Sequence, residues 1–107
     1  MMRIVASDED QLTVITETFR LLGDPTRLKI LLACLSEPKC VNDVASEVGI
    51  TGSLTSHHLR LLRGARLVRA ERQGRQIFYV AADSHVNAML AEMVAHIRQP
   101  AEDEDDT

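Results

Sequence analysis

A small, mainly α domain carrying one β-hairpin is what this 107-residue sequence predicts. Three observations predict it. Apolar residues recur at helical spacing in five separate stretches, the period changes once, across residues 67–80, and Gly, Pro and Asp punctuate the stretches. Residues 1–10 read as a flexible N-terminal arm. In residues 11–22, Leu12, Ile15, Phe19 and Leu22 form the stripe of a first helix, which Gly23 stops. Asp24 caps a second helix and Pro25 opens it; it runs through Leu28, Ile30, Leu31, Leu32 and Leu35 and ends at Ser36-Glu37-Pro38. Val41, Val44, Ala45 and Val48 lie at i, i+3, i+4 and i+7, the pattern of a short third helix. Gly49-Ile50-Thr51 turns the chain into a fourth, from about Gly52 to Arg63. Residues 67–71 and 76–80 then read as two strands flanking a basic tip, Arg72-Gln73-Gly74-Arg75. Asp83 caps a fifth helix with Val86, Met89, Leu90, Met93, Val94 and Ile97 on its apolar side. Pro100 ends it, and residues 100–107 read as a disordered acidic tail. The folded unit is thus 11–99, one domain ordered helix, helix, helix, helix, strand, strand, helix.

Composition narrows the function. Apolar residues make up 45% and charged residues 26%, as in ordinary globular domains. The aromatics are Phe19, Phe78 and Tyr79 alone, so the core is aliphatic and a base-stacking platform is excluded. The longest apolar runs, 30–35 and 77–82, are six residues each, against the roughly 18–20 that a spanning helix needs. No apolar leader opens the chain, and two cysteines make no disulfide framework; the expected setting is the cytoplasm. No Ser/His/Asp set, phosphate-binding glycine loop or paired carboxylates point to an enzyme. The net charge of −4 hides an asymmetry. Five acids gather at Glu102, Asp103, Glu104, Asp105 and Asp106, whereas within 51–81 Arg60, Arg63, Arg66, Arg69, Arg72 and Arg75 face only Glu71. Such a local field attracts polyanions.

The fourth helix is two-faced. At 100° per residue, Ser53, Ser56, His57, Arg60 and Arg63 occupy about a third of its circumference. Leu54, Thr55, His58, Leu59, Leu61 and Leu62 fall on the other side, where His58 reads as a hydrogen-bonded core histidine. Short hydroxyl donors, an imidazole and guanidinium groups on one face suit a helix entering the major groove of DNA. A compact helix-turn-helix precedes that face and the basic hairpin follows it as a wing. The candidate DNA contacts are Ser53, Ser56, His57, Arg60, Arg63, Arg72, Gln73 and Arg75. Thr55 is carried with them although its rotation places it with the inner set.

Three stretches, FRLLGDPTRLKILLACL at 19–35, SHHLRLL at 56–62 and GARLVRAERQGRQIFY at 64–79, resemble the ArsR/SmtB family of bacterial winged helix-turn-helix repressors. The resemblance covers about 19–97. It implies a homodimer that binds double-stranded operator DNA as an inverted repeat and lets go when an inducer, often a metal ion, binds. It also places Ser53, Ser56 and His57 where that family touches the groove. Gly52 departs from the pattern, since many relatives carry a DNA-reaching Gln there.

The fifth helix carries Asp83-x-His85 and then His96. The two histidines share one face, about 20° apart, but are separated by about 16 Å along the axis, whereas Zn–N bonds are about 2.0–2.1 Å. One helix cannot close such a site. Two antiparallel copies can, each bringing Asp83 and His85 against His96 of the other. The resemblance implies the same arrangement, with a fourth ligand three residues after His96. Here that residue is Gln99, a weak ligand, and Glu102 or Asp103 are weak substitutes. A carboxylate with two imidazoles suits zinc, or nickel/cobalt if further oxygens join. Cys40 and Asp43 match a second metal position of the family, incomplete here because residues 1–20 hold neither Cys nor His; they are also a possible redox site. Cys34 reads as a buried thiol. Two rival readings stand: a redox-responsive or inducerless regulator of the same type, and a winged-helix module that binds an acidic, unidentified partner protein.

Overall fold

The computed structural model describes residues 8–101. Helix α1 (Glu9–Leu22) starts at Asp8, whose carboxylate accepts the Gln11 N–H at 2.7 Å. Glu9 and Asp10, expected in the arm, therefore open the helix, where acids favour its positive end. The rest of the arm, and the tail from Glu102 onward, lie outside the described residues. Helix α2 (Pro25–Ser36) is capped by Asp24, which accepts the Arg27 N–H at 3.1 Å. That bond holds the Asp24 carboxyl below its ordinary range. Helix α3 (Val41–Val48) ends at Gly49 with φ 84°, a left-handed conformation that glycine adopts without strain. Two residues later Thr51 caps α4 (Gly52–Gly64) by accepting the Leu54 N–H at 3.0 Å.

Strands β1 (Val68–Gln73) and β2 (Gln76–Ala81) pair antiparallel, from Val68↔Ala81 to Gln73↔Gln76. The expected four-residue tip is therefore shorter. Arg72 and Gln73 are paired on β1, and the loop is Gly74-Arg75, with Gly74 at φ 65° in the first turn position that a two-residue hairpin reserves for glycine. Lys39 extends the sheet on its other edge, exchanging backbone bonds with Tyr79 at 3.2 and 2.8 Å. Its side chain is buried and donates to the Ala33 carbonyl (2.9 Å) and Ser36 Oγ (3.0 Å), the open end of α2. Glu47 and Glu37 lie 3.6 and 3.7 Å from its ammonium.

The core is aliphatic, as composition requires. Ile30, Leu31 and Cys34 of α2 meet Val44 of α3, Leu59 and Leu62 of α4, Leu67 and Val68 at the base of the hairpin, and Val86. Val86 belongs to α5 (Ser84–Arg98), which Asp83 caps. Beyond Val86 and the half-buried Leu90, α5 gives little to this core. Met89, Met93 and Ile97 stay exposed along it, and α1 exposes Leu12, Ile15 and Phe19. The two terminal helices thus carry apolar lines that one chain does not bury.

At fixed protein concentration, Leu59→Ala is expected to cost about 2–5 kcal/mol, since it opens a cavity between α2 and α4. Leu32→Ala, on the outer side of α2, should cost about 1 kcal/mol or less. Urea unfolding of the two variants checks the contrast.

Candidate nucleic-acid interface and metal ligands

Packing of the inner side of α4 turns its polar side outward. Leu59 and Leu62 are fully buried, and Ser53, His57, Arg60 and Arg63 are exposed, with Ser56 half-buried. Two positions differ from the expectation. Thr55 is completely buried, and its hydroxyl donates to the Thr51 carbonyl at 2.8 Å, so it packs under the helix instead of facing DNA. Leu54, expected inside, is 43% exposed. It stands in the first turn at the edge of the inner side, about 100° round from the buried Thr55 and beside His57. An apolar side chain there has the chemistry to meet a thymine methyl.

His58 is buried and its Nδ1 accepts from Arg27 Nε at 3.2 Å, the core histidine expected. Burial, and then the Arg27 charge, push its pKa below the ordinary histidine value, while Asp24 opposes. His57 lies next to it, ring centroids 5.7 Å apart, but on the outer side. On the wing, Arg72, Gln73 and Arg75 are exposed. Arg69 is committed to structure: it donates to the Ala81 and Ala82 carbonyls, each at 3.1 Å, and pairs with Glu71 at 2.6 Å. Arg63, Arg66 and Arg69 line an open groove of about 580 Å³ with Asp83, which joins the end of α4 to the start of α5.

The metal candidates divide between the two ends of α5. Asp83 Oδ1 accepts the His85 and Val86 N–H groups at 2.9 and 3.1 Å and lies 3.6 Å from His85 Nδ1. The His85 side chain is 92% exposed. His96 lies near the other end, lining a groove with Ile97, Gln99, Pro100 and Ala101. Gln99 closes the helix through its own N–H, bonded to Ala95 and His96. Among the described residues no three His, Cys, Asp or Glu side chains gather within one chain. Asp83 and His85 are together, His96 is apart, and Glu102 lies outside the described residues. Cys40 caps α3 with its backbone, its thiol making no cap bond, and Asp43 sits exposed in the same first turn. Cys34 is buried, which raises its pKa to about 11.

Sequence reasoning missed Arg27, Lys39 and Leu54. The Asp-Pro-Thr-Arg run announced the start of α2, but nothing local shows that the Arg27 side chain meets His58, 31 residues away.

A helix-turn-helix whose second helix presents hydroxyls, imidazole and guanidinium groups, followed by a cationic hairpin, defines a winged-helix DNA-binding regulator. Residues 24–70 match the model of the bacterial regulatory protein arsR family. A transcriptional repressor SmtB homolog of Synechocystis is 38% identical over 90 residues, covering 84% of this chain and 68% of its own length. The solution structure of the cadmium metal-sensor CMTR from Mycobacterium tuberculosis superposes with TM-score 0.67 at 38% identity, covering 87% of this chain and 96% of that one. A homodimeric winged helix-turn-helix DNA-binding domain from Mycobacterium bovis shares the fold at TM-score 0.78 and 22% identity, over 99% and 100% of the two chains. The chain belongs to the ArsR family. No helix among the described residues is long and apolar enough to cross a membrane.

A thiol with its pKa raised to about 11 stays protonated and unreactive at neutral and mildly alkaline pH. A thiol-specific reagent at about pH 8 should therefore label Cys40 in the folded protein, with Cys34 following only on unfolding. Equal rates would show that the core around Cys34 is open.

Proposed function

We propose that this protein is a cytoplasmic homodimeric repressor that binds an inverted-repeat operator and is released by a transition metal ion held between the C-terminal helices. The observation that carries the reading is the outer side of α5. His85, His96 and Met89 fall within about 40° of one another at 100° per residue, and the exposed Met93 and Ile97 lie about 40° and 80° further round. Antiparallel pairing of two such helices buries Met89, Met93 and Ile97 and sets His96 of each copy against Asp83 and His85 of the other. The exposed apolar line of α1 supports the same dimer.

Asp83, His85 and His96 fit zinc, or nickel/cobalt: one carboxylate and two imidazoles, all exposed. When bound, the ion supplies a cross-link of fixed geometry. The chain's own part is to transmit it. The start of α5 is anchored to the core through Val86 and shares a groove with Arg63 at the end of α4. Constraining the two α5 helices therefore constrains the spacing of the two reading helices. Release follows if that spacing suits the groove less well than the metal-free one, because only differential affinity shifts the equilibrium. A coupling of about 1–3 kcal/mol changes operator affinity about 5–150-fold. The relative described as a cadmium sensor supports metal control as a class.

Calorimetric titration of zinc, nickel and cobalt into metal-free protein should saturate at about one ion per protomer, as two symmetric sites in a dimer require, and the His85→Ala/His96→Ala variant should take up none. Uptake that survives both substitutions would overturn the site. On DNA, Arg75→Ala should lower the slope of log affinity against log salt by about 1.8 for the dimer, the contribution of two phosphate contacts, one from each wing. An unchanged slope would take the wing tip off the backbone.

A further inference from the structure

We propose that Arg27 is a positioning residue for DNA reading, holding α4 in its reading orientation through the neutral imidazole of His58 and tying that orientation to the end of α1. The inference deepens the DNA-binding reading and rests on it. The Arg27 side chain donates in two directions. Nε reaches His58 Nδ1 on α4 at 3.2 Å, and Nη1 reaches the Leu21 carbonyl in the last turn of α1 at 3.0 Å. Its own backbone is fixed at the head of α2 by Asp24. One guanidinium thus ties three helices, and one of them carries the reading face.

The attachment point controls rotation. His58 lies on the inner side of α4, with Ser53, Ser56 and His57 on the opposite side or its edge. Side chains stand about 5–6 Å from a helix axis, so a 10° roll moves the outer ones by about 1 Å. That takes a hydrogen bond near 2.9 Å out of its useful range. Leu59 and Leu62 hold α4 against the core and fix which side faces outward, while apolar contact has no directional preference of its own for small rotations. The Arg27–His58 bond is directional and resists the roll.

The bond also has a defined proton requirement. Nδ1 accepts, so it must carry no proton. Adding one from solvent removes the acceptor and sets an imidazolium against the guanidinium. The charged and titratable groups facing His58 are Arg27 and Asp24 from α2 and His57 from its own helix. Asp24 is the one acid among them. Acid therefore breaks the link as pH falls below the ordinary histidine value. Protonation of the exposed His57 acts with the opposite sign, adding a cation to the reading face.

The test uses the full chain, kept metal-free with a chelator so that His85 and His96 bind no ion, and a duplex selected by the wild-type protein from a random-sequence pool. Affinity is measured from about pH 7.5 down to well below the ordinary histidine pKa of about 6.5, because burial and Arg27 lower that of His58, with circular dichroism at each pH confirming the folded state. Wild-type affinity should fall by about tenfold toward acid, the loss that one charge-assisted hydrogen bond of roughly 1.4 kcal/mol predicts. His58→Asn keeps an acceptor at the Nδ1 position and does not titrate; it should bind as wild type at neutral pH and lose the acid-linked fall. Arg27→Lys has one ammonium for two acceptors on different helices and should bind about tenfold more weakly at neutral pH while remaining folded. An unchanged acid response in His58→Asn, or wild-type affinity in Arg27→Lys, overturns the proposal alone. Failure of the wild-type chain to select any duplex overturns the DNA-binding reading beneath it.

Discussion

Burial of the inner side of α4 against α2 is the constraint on which the remaining features depend. Leu59 and Leu62 are fully buried there, each worth about 1.5–3 kcal/mol relative to exposure. Thr55 joins them without penalty because the Thr51 carbonyl satisfies its hydroxyl. Once that side is committed, residues spaced at 100° have no choice of direction, and Ser53, His57, Arg60 and Arg63 face outward. The same contact seats the hairpin, because Leu67 and Val68 enter the core directly after α4 ends. Reading face and wing are therefore two outcomes of one packing event.

Much of this was legible in the residues themselves, because every helix declares a period and most declare a cap. Asp24-Pro25, Gly49 and Asp83 mark boundaries by local chemistry that needs no tertiary context. The start of α1 was hidden because its cap, Asp8, sits in a charged run that reads as solvated arm. Leu54 misled for a different reason. On the wheel it lies at the edge of the inner set, about 100° from the fully buried Thr55, and the buried side is narrower than the spread of apolar residues suggests. Arg27 was invisible because its partner His58 is set by topology, and Lys39 because the backbone pairing with Tyr79 that seats it is, although its amine bonds the nearby Ala33 and Ser36. The metal candidates sit between these cases. Asp83, His85 and His96 could be picked out by type and spacing, and a single chain brings only the first two together.

Function is divided between a well-packed centre and sparsely packed ends. In the centre the buried polar side chains Lys39, Thr55 and His58 are each hydrogen-bonded, and the core residues around them are aliphatic or thiol. Helices α1 and α5 instead hold apolar side chains outside any core of their own, and α5 is secured mainly by its first turns. In the proposed dimer, that distribution leaves each half pre-formed and the relative placement of the two adjustable. Small biases at the free ends can then reorient intact reading units without unfolding them.

Lys39 brings one more consequence. The chain contains two lysines, Lys29 and Lys39, and the second is buried with its amine spent on the end of α2. Every cation on α4 and on the wing is an arginine, which does not deprotonate in proteins and is not acylated by amine reagents. Chemistry directed at amines accordingly has one side-chain target on the folded surface, Lys29 of α2, and passes over the reading face altogether. Fluorophores or surface linkers coupled through amines will therefore leave the guanidinium groups of that face chemically intact.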